Sequence, residues 1–354
     1  MKFYAIYDLV GICIGDEYPW CETIFLNGVV TEDEEAYNAC KQKIIVDYQK
    51  SLSINDVRFI GDGAYISGSV YVDCNYGVRI ERMAGHWHLI ASQECNEWLV
   101  ILIQLALLDN NHTLIHAAAL EKNEEVLLLP SWGGVGKTAT VCKFVRDYGW
   151  RLLGDDLVII GDNYVIPFLK PFVIYPYHKD LFPELFKNNE NHTVKNLKIS
   201  NMMSKIIPGV KRMLRPFPRV LAYLRKHNPQ SMRVLPTKIF TPDQISQGGT
   251  PKNVIWLERS MNDSVECHKV SPDIIASKAV TVSSVELFAE KLDAVYHMCG
   301  CGIITYDDTI KKMHQIIYSV AQNAECGTIE IPTTNSITEI GNIIYHQIQT
   351  NYRG

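Results

Sequence analysis

Apolar and polar positions alternate through three stretches in the first quarter of the chain, 57–60, 64–72 and 78–82. A period of two, punctuated by glycine and asparagine, predicts short strands joined by turns. Ahead of them, 31–51 reads as a helix with Asp33 and Glu34 in its first turn, where carboxylates complement the helix dipole. Beyond residue 95 the pattern changes. The run 95–108 is apolar on every side and predicts a buried helix closed by Asp109-Asn110-Asn111. The runs 113–120 and 126–129 are short and apolar, which predicts two buried strands around a turn at 121–124. A helix is expected over 138–148, then strands over 150–153, 157–160 and 164–168, the last two joined by a turn at Gly161-Asp162-Asn163. Residues 254–258 predict a strand, and 285–299 and 310–323 predict helices. The expected fold class is α/β with a mixed sheet. A smaller strand-rich α+β domain spans 1–95 and a larger domain spans 96–354.

Composition narrows the class only slightly. The chain has 354 residues, 47% of them hydrophobic and 21% charged, which is ordinary for a globular protein of about two domains. A net charge of −5 gives no push toward nucleic acid or membrane, so neither is expected as a partner. No apolar run reaches membrane-spanning length and the N-terminus lacks a signal-peptide pattern, so a soluble, cytoplasmic protein is expected. The ten cysteines form no C-x-x-C pair and read as reduced, mostly buried small hydrophobes. His86 and His88, alternating on one strand, are left without a metal. One segment stands apart. Over 202–240 nine basic residues occur with no acidic residue among them, interrupted by five prolines. It reads either as a solvated face or as a basic segment near phosphates or an acidic substrate.

The most specific signal is Ser131-Trp132-Gly133-Gly134-Val135-Gly136-Lys137-Thr138, between an expected strand and an expected helix. In that setting a glycine-rich turn points consecutive backbone N–H groups at an anion, and the helix N-terminus adds partial positive charge. Residues 131–139, ending at Ala139, are therefore expected to hold the phosphates of a nucleotide. Lys137 reaches the β- and γ-phosphates, and the Thr138 hydroxyl joins a Mg²⁺ shell. Asp155-Asp156 follows one helix and one strand later. Phosphoryl transfer needs a carboxylate toward the metal and a group that takes the acceptor's proton, and adjacent side chains on extended chain diverge enough to divide those tasks. Asp156 is expected with Thr138 on the metal and Asp155 as the base. His116, fifteen residues before Ser131 on the expected neighbouring strand, is expected to hydrogen-bond one of the carboxylates and tune it.

Three pieces together, Ile115-His116-Ala117, the loop from Gly133 to Thr138, and Tyr148-Gly149-Trp150-Arg151-Leu152-Leu153-Gly154-Asp155-Asp156, resemble the HPr kinase/phosphorylase family. That family has a histidine fifteen residues before a Gly-x-Ser-Gly-x-Gly-Lys-Ser/Thr loop and then a segment ending in Asp-Asp. The resemblance covers residues 113–160 and departs at Ser131, at Gly133 in place of the loop serine, and at Trp150 in place of a histidine. It implies a kinase core related to phosphoenolpyruvate carboxykinase. His116, Lys137, Asp155 and Asp156 would surround the transferred group, one aspartate acting as base toward a serine hydroxyl. It is more similar to divergent members that tailor ribosomally made peptides, such as lasso-peptide precursors. The expected activity is ATP- and Mg²⁺-dependent phosphorylation of a serine on a peptide or protein, with an arginine from the basic segment offsetting charge. The alternatives are a kinase of a small hydroxyl metabolite and a nucleotide-binding regulator without turnover. By analogy with the family, a homo-oligomer is expected.

Overall fold

The computed structural model describes residues 1–19, 31–55, 57–187, 231–288 and 291–352. It is a mixed α/β protein with mixed sheets and several helices. Strands β1 (Lys2–Ile6), β2 (Val10–Ile14), β3 (Thr31–Glu32), β4 (Gln42–Tyr48), β5 (Arg58–Gly61), β6 (Ala64–Ser67), β7 (Val70–Asp73), β8 (Val78–Met83) and β9 (His86–Ala91) make one nine-stranded sheet. Its order is β3-β1-β2-β4-β9-β8-β7-β6-β5, with β2, β4 and β9 parallel to one another. Two expectations change here. The run 64–72 is two strands, because Gly68 adopts φ +55° and lets Ser67 pair with Val70 across a tight turn. The helix expected over 31–51 shrinks to α1 (Glu34–Ala39), capped by Asp33, whose carboxylate accepts from the backbone N–H groups of Glu35 and Ala36. Residues 42–48 are extended instead. Ile44 and Val46, two apart, are buried while their neighbours are only partly so, and a β-branched run at 44–46 favours the pleat.

Helix α2 (Asn96–Asp109) is buried nearly all round, as its composition predicts. Trp98, Ile101, Leu102 and Leu105 share one cluster with Ile12, Ile44 and Leu89 of the first sheet and with Leu114, Leu157 and Ile159 of the second. That second sheet uses β10 (His112–Lys122), β11 (Glu125–Pro130), β12 (Arg151–Gly154), β13 (Leu157–Gly161) and β14 (Tyr164–Ile166). The strands β15 (Phe172–Ile174) and β16 (Met232–Val234) pair separately as a two-stranded ladder. The second sheet is completed by β17 (Thr250–Ser260), β18 (Glu266–Lys269) and β19 (Glu325–Pro332). Its order is β14-β13-β10-β11-β17-β19-β18, with β12 also on β10 and with β11, β17 and β19 parallel.

Helices cover both faces of this sheet. On one, α3 (Lys137–Asp147) lies in a cluster that joins Phe144 and Val145 to Leu127, Leu129, Ile255 and Ile329. After the short α4 (Pro183–Lys187), α5 (Pro272–Phe288), α6 (Leu292–Gly300), α7 (Tyr306–Gln322) and α8 (Ile337–Asn351) follow. Ile340 and Ile344 of α8 join the α3 face, while Ile275 and Ala279 of α5 and Met313 and Ile317 of α7 pack on Leu128, Val254 and Trp256 behind it. Leu127, Leu128 and Leu129 thus serve alternate faces of one strand. The helix expected over 285–299 is divided. Lys291 leaves helical geometry at φ −130° and ψ 19°, and its ammonium bonds Glu97 at 2.7 Å over the Tyr76 ring. Most of the expected basic segment, 202–230, lies outside the described residues. Cys13, Cys40, Cys95, Cys142 and Cys326 are buried free thiols, as their spacing predicts, whereas Cys74 is exposed. Among the described residues no helix is long and apolar enough to cross a membrane.

Candidate active site

Strand β11 ends at Pro130 and α3 begins at Lys137, so the glycine-rich turn spans the C-terminal end of a parallel strand and a helix N-terminus. Gly136 sits at the helix N-cap with φ +107°, and a Cβ there would meet Ile340 side-chain atoms at 2.8 Å. Both conformation and space demand glycine. Among the described residues no side chain caps α3, so the first-turn N–H groups remain available for an anion. Lys137 is the pivot of the loop. Its ammonium donates to Ser131 O at 3.0 Å, Ser131 Oγ at 3.2 Å, Trp132 O at 2.9 Å and His116 Nε2 at 2.9 Å. Burial pulls it down to about 8, against the opposing pull of Asp155, Asp156 and Glu286.

The aspartate pair is delivered by strand register. β12 and β13 pair with the same edge of β10, Ala119 opposite Gly154 and His116 opposite Leu157. Asp155 and Asp156 therefore interrupt one continuous edge and leave the ladder beside the loop. Gly154 is required at this break, because a Cβ would lie 2.5 Å from Leu157 O and Val158 Cγ1. The two carboxylates then diverge, as adjacent positions on extended chain should. Asp155 Oδ2 accepts from the Thr138 hydroxyl at 2.8 Å, and Asp155 Oδ1 is buried with no hydrogen-bond partner among the described residues. Asp156 Oδ1 lies 3.3 Å from His116 Nδ1, and Asp156 Oδ2 accepts from Lys170 Nζ at 2.5 Å.

These contacts set the protonation states. An ammonium only donates, so His116 Nε2 accepts from Lys137 and the ring proton sits on Nδ1, facing Asp156. Burial and then the Lys137 charge lower His116 to about 4, against Asp156, and the imidazole is neutral. Its own backbone N–H donates to Ser283 Oγ at 2.9 Å, which fixes the strand against α5. Burial, together with the charge of Asp156, pushes Asp155 up to about 7, in spite of Thr138 and Lys137. Burial also opposes ionisation of Asp156, but Lys170, His116 and Lys137 outweigh it and hold that carboxyl below its usual range.

All four of these groups open on one cavity of about 590 Å³. Of the stretch 131–139, Gly133, Gly134, Gly136, Lys137 and Thr138 line it. Ser131, Val135 and Ala139 are buried in support, and Trp132 is 43% exposed outside that lining. Lys170, Tyr175, Tyr177, His178 and Glu286 also line the cavity, and nothing in the motif spacing singles them out. Lys170 left one trace in the sequence, a lone charge in the otherwise apolar, proline-punctuated run Pro167-Phe168-Leu169-Lys170-Pro171-Phe172. Arg233, the described arginine of the basic segment, lines a neighbouring cavity of about 370 Å³ that shares Lys170, Pro171 and Val173 with the first. His88, away from the loop, pairs with Asp47 at 2.8 Å.

Among the described residues no three His, Cys, Asp or Glu side chains are grouped to hold a metal ion by themselves. A Mg²⁺ carried in on phosphates needs only one or two protein oxygens beside its waters. The Thr138 hydroxyl and the unpartnered Asp155 Oδ1 have the hard-oxygen chemistry for that. No protein-family model matches this chain, and no curated protein matches it.

Proposed function

We propose that the protein is an ATP- and Mg²⁺-dependent kinase, with a core resembling that of HPr kinase and phosphoenolpyruvate carboxykinase, that phosphorylates a serine hydroxyl of a peptide or protein. One observation carries the reading. Lys137 and Thr138 from the loop, His116 from β10 and the Asp155-Asp156 break between β12 and β13 converge on a single cavity at an uncapped helix N-terminus. A buried charge is costly, and the buried Lys137 grouped with the partly buried Asp155 and Asp156 around one opening is better explained by chemistry than by stability.

Thr138 and Asp155 are the residues that would hold Mg²⁺, which when bound would offset the charge of the phosphates. This exchanges the roles expected from the sequence, because the Thr138 hydroxyl bonds Asp155 rather than Asp156. Asp156 then takes the acceptor's proton. Its two oxygens are steered by His116 Nδ1–H and by Lys170, so a lone pair stays aimed as the hydroxyl approaches. The acceptor oxygen forms its bond to the γ-phosphorus, the bond from phosphorus to the departing ADP oxygen breaks, and the acceptor proton ends on Asp156. Lys137 moves its donation from the loop carbonyls to the phosphate oxygens, and the α3 N–H groups add to it.

Titration calorimetry with Mg·ATP tests the binding half. Wild type should bind, and Lys137→Ala should bind far more weakly. A wild-type protein with no affinity for any Mg·nucleoside triphosphate would sink the proposal. Transfer of label from γ-labelled ATP, run against a serine-peptide library and a panel of hydroxyl metabolites, then tests the acceptor class. Label on metabolites alone would refute the peptide assignment.

A further inference from the structure

Downstream of Lys170, the chain that lines the cavity carries a polar group that phosphoryl transfer by Lys137, Asp155 and Asp156 leaves unused, and a role for it rests on that kinase reading. After β15 the backbone turns through Pro176–His178, and His178 lines the cavity with Gly133, Lys137 and Asp155 although only 4% exposed. Its Nδ1 accepts the backbone N–H of Tyr175 at 3.3 Å. An accepting Nδ1 carries no proton, so the proton of the neutral ring is on Nε2. Burial lowers the imidazole to about 4, which keeps it neutral and in this tautomer through the working pH range. The ring is boxed edge-on by Tyr177, with centroids 4.3 Å apart, and by Phe182 at 6.3 Å. Among the described residues Nε2–H has no acceptor. With Nδ1 turned to the chain, Nε2–H is the polar edge left for the cavity. Nε2 is not among the buried atoms left without a partner, so this N–H opens to the cavity, where an incoming ligand oxygen can take it.

Neutrality matters here. A cationic side chain in this position would collapse onto Asp155 or Asp156, as Lys170 does onto Asp156. A neutral N–H keeps its direction and is free for an oxygen whose charge grows during the reaction. We infer that His178 donates its Nε2–H to an equatorial oxygen of the phosphoryl group in transit, making it a further catalytic residue alongside Lys137.

The experiment compares Mg·ADP binding with and without aluminium fluoride, a planar mimic of the transferring group, by calorimetry. In wild type, fluoroaluminate should tighten ADP binding. His178→Phe keeps the ring and removes the donor. It should lose about tenfold of the fluoroaluminate complex, the worth of one hydrogen bond to a charged group, with Mg·ADP alone nearly unchanged. His178→Gln, which retains an N–H, should keep most of the tightening. If the phenylalanine variant does not fold, the wild-type Nε2-bound proton serves as the readout, moving downfield in the nuclear magnetic resonance spectrum when fluoroaluminate is added. Equal tightening in wild type and His178→Phe, or an unmoved proton, overturns the role of His178 alone. No fluoroaluminate effect in wild type overturns phosphoryl transfer itself, and the inference with it.

Discussion

A histidine–aspartate pair on the first sheet and another on the second have different fates. On the first sheet His88 Nε2 meets Asp47 Oδ2 at 2.8 Å, across the parallel strands β9 and β4. On the second, His116 Nδ1 meets Asp156 Oδ1 at the longer distance of 3.3 Å. The shorter contact is the less consequential one. His88 and Asp47 are 23% and 40% exposed, and solvent competes for both. His116 is almost fully buried, its second nitrogen is occupied by Lys137, and its aspartate is also held by Lys170. A pair is therefore informative through what surrounds it. On the second sheet the chain accepts the cost of buried charge, and it does so where a glycine-rich turn meets a helix.

The contrast breaks most sharply with Asp156→Asn. Loss of a general base costs about 10²–10⁴-fold, and transfer should fall within that range while Mg·ATP binding stays close to wild type. Asp47→Asn, the matching change on the first sheet, should leave transfer unaltered. An active Asp156→Asn enzyme would remove the base from the scheme. His116→Ala comes next. It releases both Asp156 and Lys137, and misplacement of reacting groups costs about 10²-fold in kcat, whereas His88→Ala should cost nothing measurable in a steady-state assay.

Acidity sharpens the comparison further. Asp155 titrates near 7 and must be ionised to hold a cation, so protons compete with Mg²⁺ below that pH. Mg²⁺ dependence of nucleotide binding should weaken by about tenfold per pH unit below 7 and level off above it. A profile flat from pH 5 to 8 would remove Asp155 from the metal site. The stability change in Asp155→Asn is the smallest of these effects and has the opposite sign. The substitution should abolish Mg²⁺ dependence yet raise the stability of the ligand-free protein by about 0.5–2 kcal/mol, because it relieves an unpartnered buried carboxyl. Thermal unfolding checks this, and His88→Ala should lower stability by no more than about 1 kcal/mol.

Local pattern was legible where one principle governs one stretch. The loop between β11 and α3, the all-round apolar α2 and the turn at Asp162 and Asn163, both at positive φ, follow from glycine chemistry, hydrophobicity and turn preference within about ten residues. Residues 42–48 misled because alternating burial there depends on the neighbouring strands β2 and β9, which a helical reading of polar and apolar spacing does not sense. The site divides along the same line.

As a string of residues, the chain already named the glycine-rich turn, the lysine, the threonine, the histidine and both aspartates, since each needs only its own residue type at a given spacing. Which aspartate faces Thr138 was decided by the shared edge of β10, where β12 and β13 pair on either side of the break at Gly154. Lys170 and His178 entered the cavity only because β15 and the turn after it fold back beside α3. Motif spacing is set by short-range backbone geometry and survives in sequence. The direction of a carboxylate and the company of a buried ring are set by strand register and long-range packing, which exist only once the chain has closed on itself.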